Sequence, residues 1–184
     1  HLADPMYISY WTALNFHGLT EQVPLTVVAA TTEQVPDREI HGVTYGFVTL
    51  TAAKFFGYDS VVVDAQQVNV ASVEKTLVDC ADHPEHCGGI GELAKGVAAA
   101  DLDQATLTEY LLRLGNGAAI KRIVYLADLL DVELAQRDEL VAAFTSGYSK
   151  LDPTRGDEGR HVSEYRLLVN VSEDEITTIV GGES

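Results

Sequence analysis

The sequence predicts an α+β domain, a small sheet of mostly antiparallel or mixed pairing packed against a bundle of about five helices. Short β-branched segments without helical period fill residues 23–70, a 3.6-residue apolar period runs through 72–146, and one more strand-like run, Tyr165–Val171, comes near the end. The 184 residues suit one core, since single domains typically take about 100–200 residues. The chain divides into residues 1–146, holding the sheet (23–70) and the helices (72–146), then a loop or linker at 147–161. Residues 162–184 supply the final strand and a short C-terminal segment of the same domain.

Asp4-Pro5 forms an N-cap and first-turn pair, and Tyr7, Tyr10, Trp11 and Leu14 follow at helical spacing before Gly18, so the first element reads as an aromatic-faced helix. Val23–Ala30 and Val43–Leu50 read as strands flanking a polar, proline-containing loop. Ser60–Val63 and Gln67–Val70 make two more, with Asp64-Ala65 in the turn between them. Ser72 caps a helix carrying Val73, Thr76, Leu77 and Cys80 on one side, closed by Pro84 and Gly88-Gly89. A helix over Ile90–Ala99 follows, then one opened by a capping box at Asp101–Gln104. Ala119, Ile120, Ile123, Val124, Ala127 and Leu130 form the next stripe. Asp131 starts another helix, with Leu134, Leu140, Val141 and Phe144 inward, and Tyr165–Val171 is expected to return to the N-terminal sheet before Ser172 caps a last helical segment.

Twelve Lys+Arg stand against 28 Asp+Glu, a net charge of −16. Such a chain is a poor DNA clamp, because duplex affinity comes mainly from neutralising phosphates with basic side chains. The acid is scattered and only five lysines are present (Lys54, Lys75, Lys95, Lys121, Lys150), a balance suited to a high-salt, halophilic cytoplasm where repulsion is screened. No apolar run reaches the length of a membrane span and no basic-then-apolar leader opens the sequence, so the expected location is cytoplasmic. The first residue, His1, suggests a fragment or processed product. In that compartment Cys80 and Cys87 are expected to be reduced.

Several constellations bear on chemistry. Asp79-Cys80-x-x-His83-x-x-His86-Cys87 offers zinc ligands, but its spacing matches neither separated ligand pairs nor a helical His-x-x-x-His, and Cys80 falls on the apolar face. Neither a metal nor a cofactor is expected. Glu74 and Lys75 are adjacent rather than arranged as the Glu-x-Lys of a restriction-type nuclease. No nucleophile elbow, P-loop or dinucleotide fingerprint occurs, and Gly88-Gly89-Ile90-Gly91 reads as a tight turn rather than an anion cradle. The reading is therefore not an enzyme. Lys121-Arg122, the single adjacent Lys/Arg pair, stands one turn before Tyr125, and these three are the candidate partner-binding residues.

Four segments in order resemble the C-terminal domain of the AbiEi family of antitoxins, predicted transcriptional regulators of viral defence. They are Tyr10–Gln22, Phe47-Val48 with Lys54–Gly57, Val70–Cys80 with Pro84 and Gly88-Gly89, and Lys121-Arg122 with Tyr125-Leu126. The resemblance implies the antitoxin of a type IV toxin–antitoxin pair, active in abortive infection and phage defence against a nucleotidyltransferase-like toxin without requiring a stable complex. DNA binding and autorepression would belong to a longer form carrying the N-terminal winged helix-turn-helix. The matched residues Trp11, Gly18, Glu74, Lys75, Thr76, Asp79, Gly88 and Gly89 carry no established catalytic role and are expected to be structural, with Lys75 reaching a carboxylate and Thr76 packed beneath. Two other readings stay open: a degenerate or active metal-dependent nuclease or hydrolase built on Asp64, Glu74 and Asp79, and an effector or dimerisation domain of a transcription factor. Self-association is compatible with all three.

Overall fold

The computed structural model describes residues 5–182. Its larger sheet contains β1 (Met6–Ile8), β2 (Thr26–Thr31), β3 (Arg38–Ile40), β4 (Val43–Thr49), β5 (Tyr58–Val63) and β6 (Gln66–Ala71), in the order β3-β4-β2-β1-β6-β5. The sheet is mixed: β1 runs parallel to β6 and β2 parallel to β4, while β1–β2, β3–β4 and β5–β6 are antiparallel. Helix α1 (Tyr10–Phe16) lies between the first two strands in sequence. Beyond the sheet come α2 (Val73–Asp82), α3 (Ile90–Ala99), α4 (Gln104–Leu114), α5 (Gly117–Leu129) and α6 (Arg137–Ala142). A second, three-stranded sheet, β7 (Ser149–Lys150), β8 (Arg160–Val162) and β9 (Leu167–Val169), precedes α7 (Glu173–Gly181).

The α+β class and the sheet-on-helices arrangement hold, with seven helices among the described residues. Several element assignments do not. The N-terminal aromatic helix is a strand followed by a shorter helix: Tyr7 sits in β1, Tyr10 opens α1 with φ +57°, and the Asp4 cap lies outside the described residues. Alternation explains the change, because a strand sends Tyr7 into the core while Met6 and Ile8 face the other way. The polar loop before β4 contains β3. Helix α4 is capped by Asp103 and not by Asp101: the Asp103 carboxylate accepts the Thr106 N–H at 2.9 Å. Asp131 starts no helix; it takes a left-handed φ of +56°, and α6 begins only at Arg137.

The segment 147–161 is no loose linker: it contains β7, and Leu151 and Asp152 behind it are buried. β9 pairs with β7 and β8 rather than returning to the N-terminal sheet. By contrast, Ser72 and Ser172 cap α2 and α7 through their hydroxyls, as their position before apolar periodic runs predicts. Asp64 and Ala65 both take positive φ in the β5–β6 turn, the geometry a two-residue hairpin of twisted strands needs.

One face of the six-stranded sheet packs on α1 and α2, where Tyr7, Ala30, Val48 and Ala71 join Leu77, Leu93 and Ile123 in a single core. The opposite face presents Met6, Ile8, Val27, Tyr45, Phe47 and Val68, each only half-buried and none within that core. Among the described residues no helix is long and apolar enough to cross a membrane.

Candidate functional site

The residues of the Val70–Cys80 stretch converge on a buried polar network centred on α2. Asp79 is almost fully buried, and its carboxylate receives the Tyr7 hydroxyl at 2.9 Å, the Ser9 hydroxyl at 2.7 Å and the Lys75 ammonium from one turn earlier. Lys75, also buried, donates a second bond to the Lys54 carbonyl at 2.9 Å and lies 4.4 Å from the Phe56 ring centroid. Burial pushes Asp79 up and Lys75 down from their ordinary values, each opposed by the other's charge. Burial, reinforced by the Asp79 charge, also raises Tyr7 and Tyr10 far above the usual phenol range. Thr76 is buried with its hydroxyl bonded to the Ser72 carbonyl at 2.7 Å, and Glu74 accepts the Asp103 N–H at 2.9 Å, tying the first turn of α2 to the start of α4.

At the far end of α2 a second carboxylate, Asp82, receives Lys54 Nζ at 2.8 Å and the Asn116 side-chain amide. Cys80 and Cys87 are not free thiols. The short 3-10 turn Pro84–His86 folds the chain back on the last turn of α2, their Cα atoms approach to 5.7 Å, and a disulfide joins them. The five-residue zinc constellation is thereby broken up, since the cysteines hold each other and Asp79 holds Lys75. His83 and His86 remain together, with Glu85 between them.

Gly88 and Gly89 take φ of +80° and +90°. At Gly88 a side chain would collide with Trp11, and at Gly89 a Cβ would come within 2.9 Å of an Asp152 carboxylate oxygen. That carboxylate accepts the Ile90 N–H at 3.0 Å, so the start of α3 already has its anion, delivered from 62 residues downstream. Trp11 is half-buried, and Gly18 turns the chain out of α1 with φ +70°.

The candidate partner-binding residues are inside the molecule. Lys121 is fully buried, Arg122 is 6 % exposed and Tyr125 is 4 % exposed. Lys121 Nζ donates to the Gly147 carbonyl at 2.6 Å and the Thr145 hydroxyl at 2.9 Å. Arg122 donates to the carbonyls of Ala81 at 2.8 Å, Lys150 at 2.9 Å and Leu151 at 3.1 Å. The pair thus fastens the second sheet to the helices instead of facing a partner, and burial lowers both pKa values. Tyr125 packs edge-on against Tyr165 with ring centroids 5.2 Å apart, and burial pushes its phenol up to about 12. The basic doublet looked exposed in sequence because its acceptors lie at residues 81 and 145–151.

Asp64 stands exposed in the β5–β6 turn, away from the engaged Glu74 and Asp79, so these three carboxylates do not form the ring a nuclease would need. Sequence reading missed Tyr7, Ser9, Lys54, Asp82, Asn116 and Asp152 as network members. Asp79 and Asp82 follow Lys75 at i+4 and i+7, on one face of α2, and that spacing was the available signal for Asp82; the other members come from segments distant in sequence and left none.

No family model and no curated protein matches the chain. Among solved structures it is similar to the crystal structure of the RV2827C protein from Mycobacterium tuberculosis, with a TM-score of 0.67 and 18 % identity over 96 % of this chain. The match covers 66 % of that longer chain, so at this identity the likeness is one of fold.

Proposed function

We propose that this chain is the toxin-opposing domain of an AbiEi-type antitoxin, a cytoplasmic, noncatalytic recognition body of a phage-defence system. Its partner is a nucleotidyltransferase-like toxin, which it engages directly or competes with for the molecule that the toxin modifies. Autorepression on DNA belongs to a longer form with a winged helix. The observation that carries this reading is the sheet face turned away from the helices: among the described residues, Met6, Ile8, Val27, Tyr45, Phe47 and Val68 lie side by side on it, each partly exposed, and the helices pack on the other face. An apolar face rimmed by polar residues is the usual mark of a protein contact. The motif chemistry points the same way, since Lys75, Asp79, Lys121 and Arg122 are engaged in bonds within the chain.

Co-expression with the neighbouring nucleotidyltransferase tests the proposal. Growth arrest is relieved by the wild-type chain, whereas Phe47→Glu and Val68→Glu remove the protection while circular dichroism stays native. Arrest that persists unchanged, both with this domain and with a form carrying an upstream winged helix, overturns it.

A further inference from the structure

We propose that the disulfide-closed loop from Cys80 to Cys87 is a binding site for a divalent transition-metal ion, held by His83, Glu85 and His86. The ligand atoms of these three side chains lie within 4.8 Å of one another. His83 Nδ1 and Glu85 Oε1 are 2.9 Å apart, close to the ~3.0–3.4 Å that separates two donors each ~2.1 Å from a shared ion. The other ring nitrogen, Nε2, lies 3.5 Å from Asp82 Oδ2, the side on which an outer carboxylate orients a ligating imidazole. Asp82 is itself fixed by Lys54 and Asn116.

The ligands sit on a constrained scaffold. The disulfide ties both ends of the loop, and within it the His86 N–H bonds the His83 carbonyl at 3.0 Å and the Cys87 N–H bonds the Pro84 carbonyl at 3.0 Å. Tyr10, fully buried, sets the edge of its ring against both imidazoles, with centroids 6.3 and 5.6 Å away. Such preorganisation is what a ligand set needs. The histidines are half-buried and Glu85 is exposed, so an ion can enter from solvent. Two imidazoles and one carboxylate suit zinc, cobalt, nickel or copper rather than magnesium or calcium, and three protein donors leave room for water on the ion. On binding, His83 Nδ1 gives up its hydrogen bond to Glu85 and coordinates, while the ring proton resides on Nε2 toward Asp82.

The test is calorimetric titration of the full, oxidised chain with Zn²⁺, paired with the visible spectrum of the Co²⁺ form. The expected result is saturable one-to-one binding with a spectrum of nitrogen and oxygen ligands. His83→Ala and His86→Ala should each weaken it at least ~100-fold, beyond the ~10–100-fold loss typical of outer partners, and Glu85→Gln should weaken it less. Mg²⁺ and Ca²⁺ should show no saturable binding. Absence of saturable Zn²⁺ binding, unchanged affinity in the His83→Ala/His86→Ala double variant, or binding that needs reduced cysteines and shows thiolate-to-cobalt charge transfer would each overturn the proposal. None of these outcomes depends on the toxin, so the site stands or falls separately from the antitoxin reading.

Discussion

Helices α2 and α5 both bury basic side chains, and they satisfy them differently. Lys75 on α2 has a carboxylate one turn away, with two hydroxyls completing that carboxylate's shell. Among the described residues, Lys121 and Arg122 on α5 are met by backbone carbonyls and two hydroxyls, without a bonded carboxylate. A buried cation therefore needs its donors filled, and aligned carbonyl dipoles at a loop can fill them as a counter-ion does. The two solutions have different reach. The α2 pair is local in sequence and pins one helix to β1, whereas Arg122 bridges the last turn of α2 and the strand β7, joining three parts of the chain at one guanidinium.

The sharpest way to break this contrast is to remove the α2 carboxylate. Asp79→Ala leaves Lys75 buried beside no anion and should cost about 3–5 kcal/mol in urea denaturation. The double variant Lys75→Met/Asp79→Leu should cost less than Asp79→Ala alone, because no uncompensated charge remains. On α5, Arg122→Leu leaves the Ala81, Lys150 and Leu151 carbonyls without their donor and should cost about 2–4 kcal/mol. Hydrogen exchange should then rise in β7 and β9 before it rises in the larger sheet. If both sheets loosen together, Arg122 is not the fastening point.

Opening the disulfide with Cys80→Ser/Cys87→Ser should cost about 2–3 kcal/mol, the loop-closure entropy of so short a ring. A smaller effect separates the two regions by pH. Folded Tyr7 and Tyr10 stay protonated well above the ordinary value of ~10 because burial and Asp79 oppose a phenolate there, while the unfolded chain ionises near ~10. Their contribution is therefore intact below pH ~10 and declines as pH rises past it. Spectrophotometric titration should show these two phenols ionising only as the chain unfolds. Glu74→Gln, which keeps an acceptor for the Asp103 N–H, should change stability by less than ~1 kcal/mol.

What the sequence revealed was what is local. Serine caps, the Asp64-Ala65 turn, the span of α3 and the apolar stripes of α2 and α5 depend on neighbours within a few residues, and they stand where the pattern puts them. Tyr7, Tyr10, Trp11 and Leu14 misled because strand-then-helix over so few residues reproduces a helical spacing. Asp152 was unreadable as the cap of α3, since it arrives from a glycine- and proline-containing stretch far along the chain. The burial of Lys121 and Arg122 was equally hidden: charge argues for exposure, and only the three-dimensional return of residues 145–151 supplies their acceptors. The disulfide was missed because an expected reducing compartment argued for free thiols, whereas the Pro84 turn brings the two Cα atoms to 5.7 Å and the cysteines are joined.

The position of β1 has a consequence for how the chain is made. Synthesised before the other described strands, it finishes as an inner strand, with β2 on one side and β6 on the other. Its parallel partner, Val70 opposite Ile8, leaves the ribosome some sixty residues later, so the sheet's centre cannot close until translation has passed the β5–β6 hairpin. Assembly should accordingly be slow for a chain so rich in helix, governed by that one distant pairing, and a stalled nascent chain ending before residue 66 should expose its tyrosine-bearing strand to chaperones.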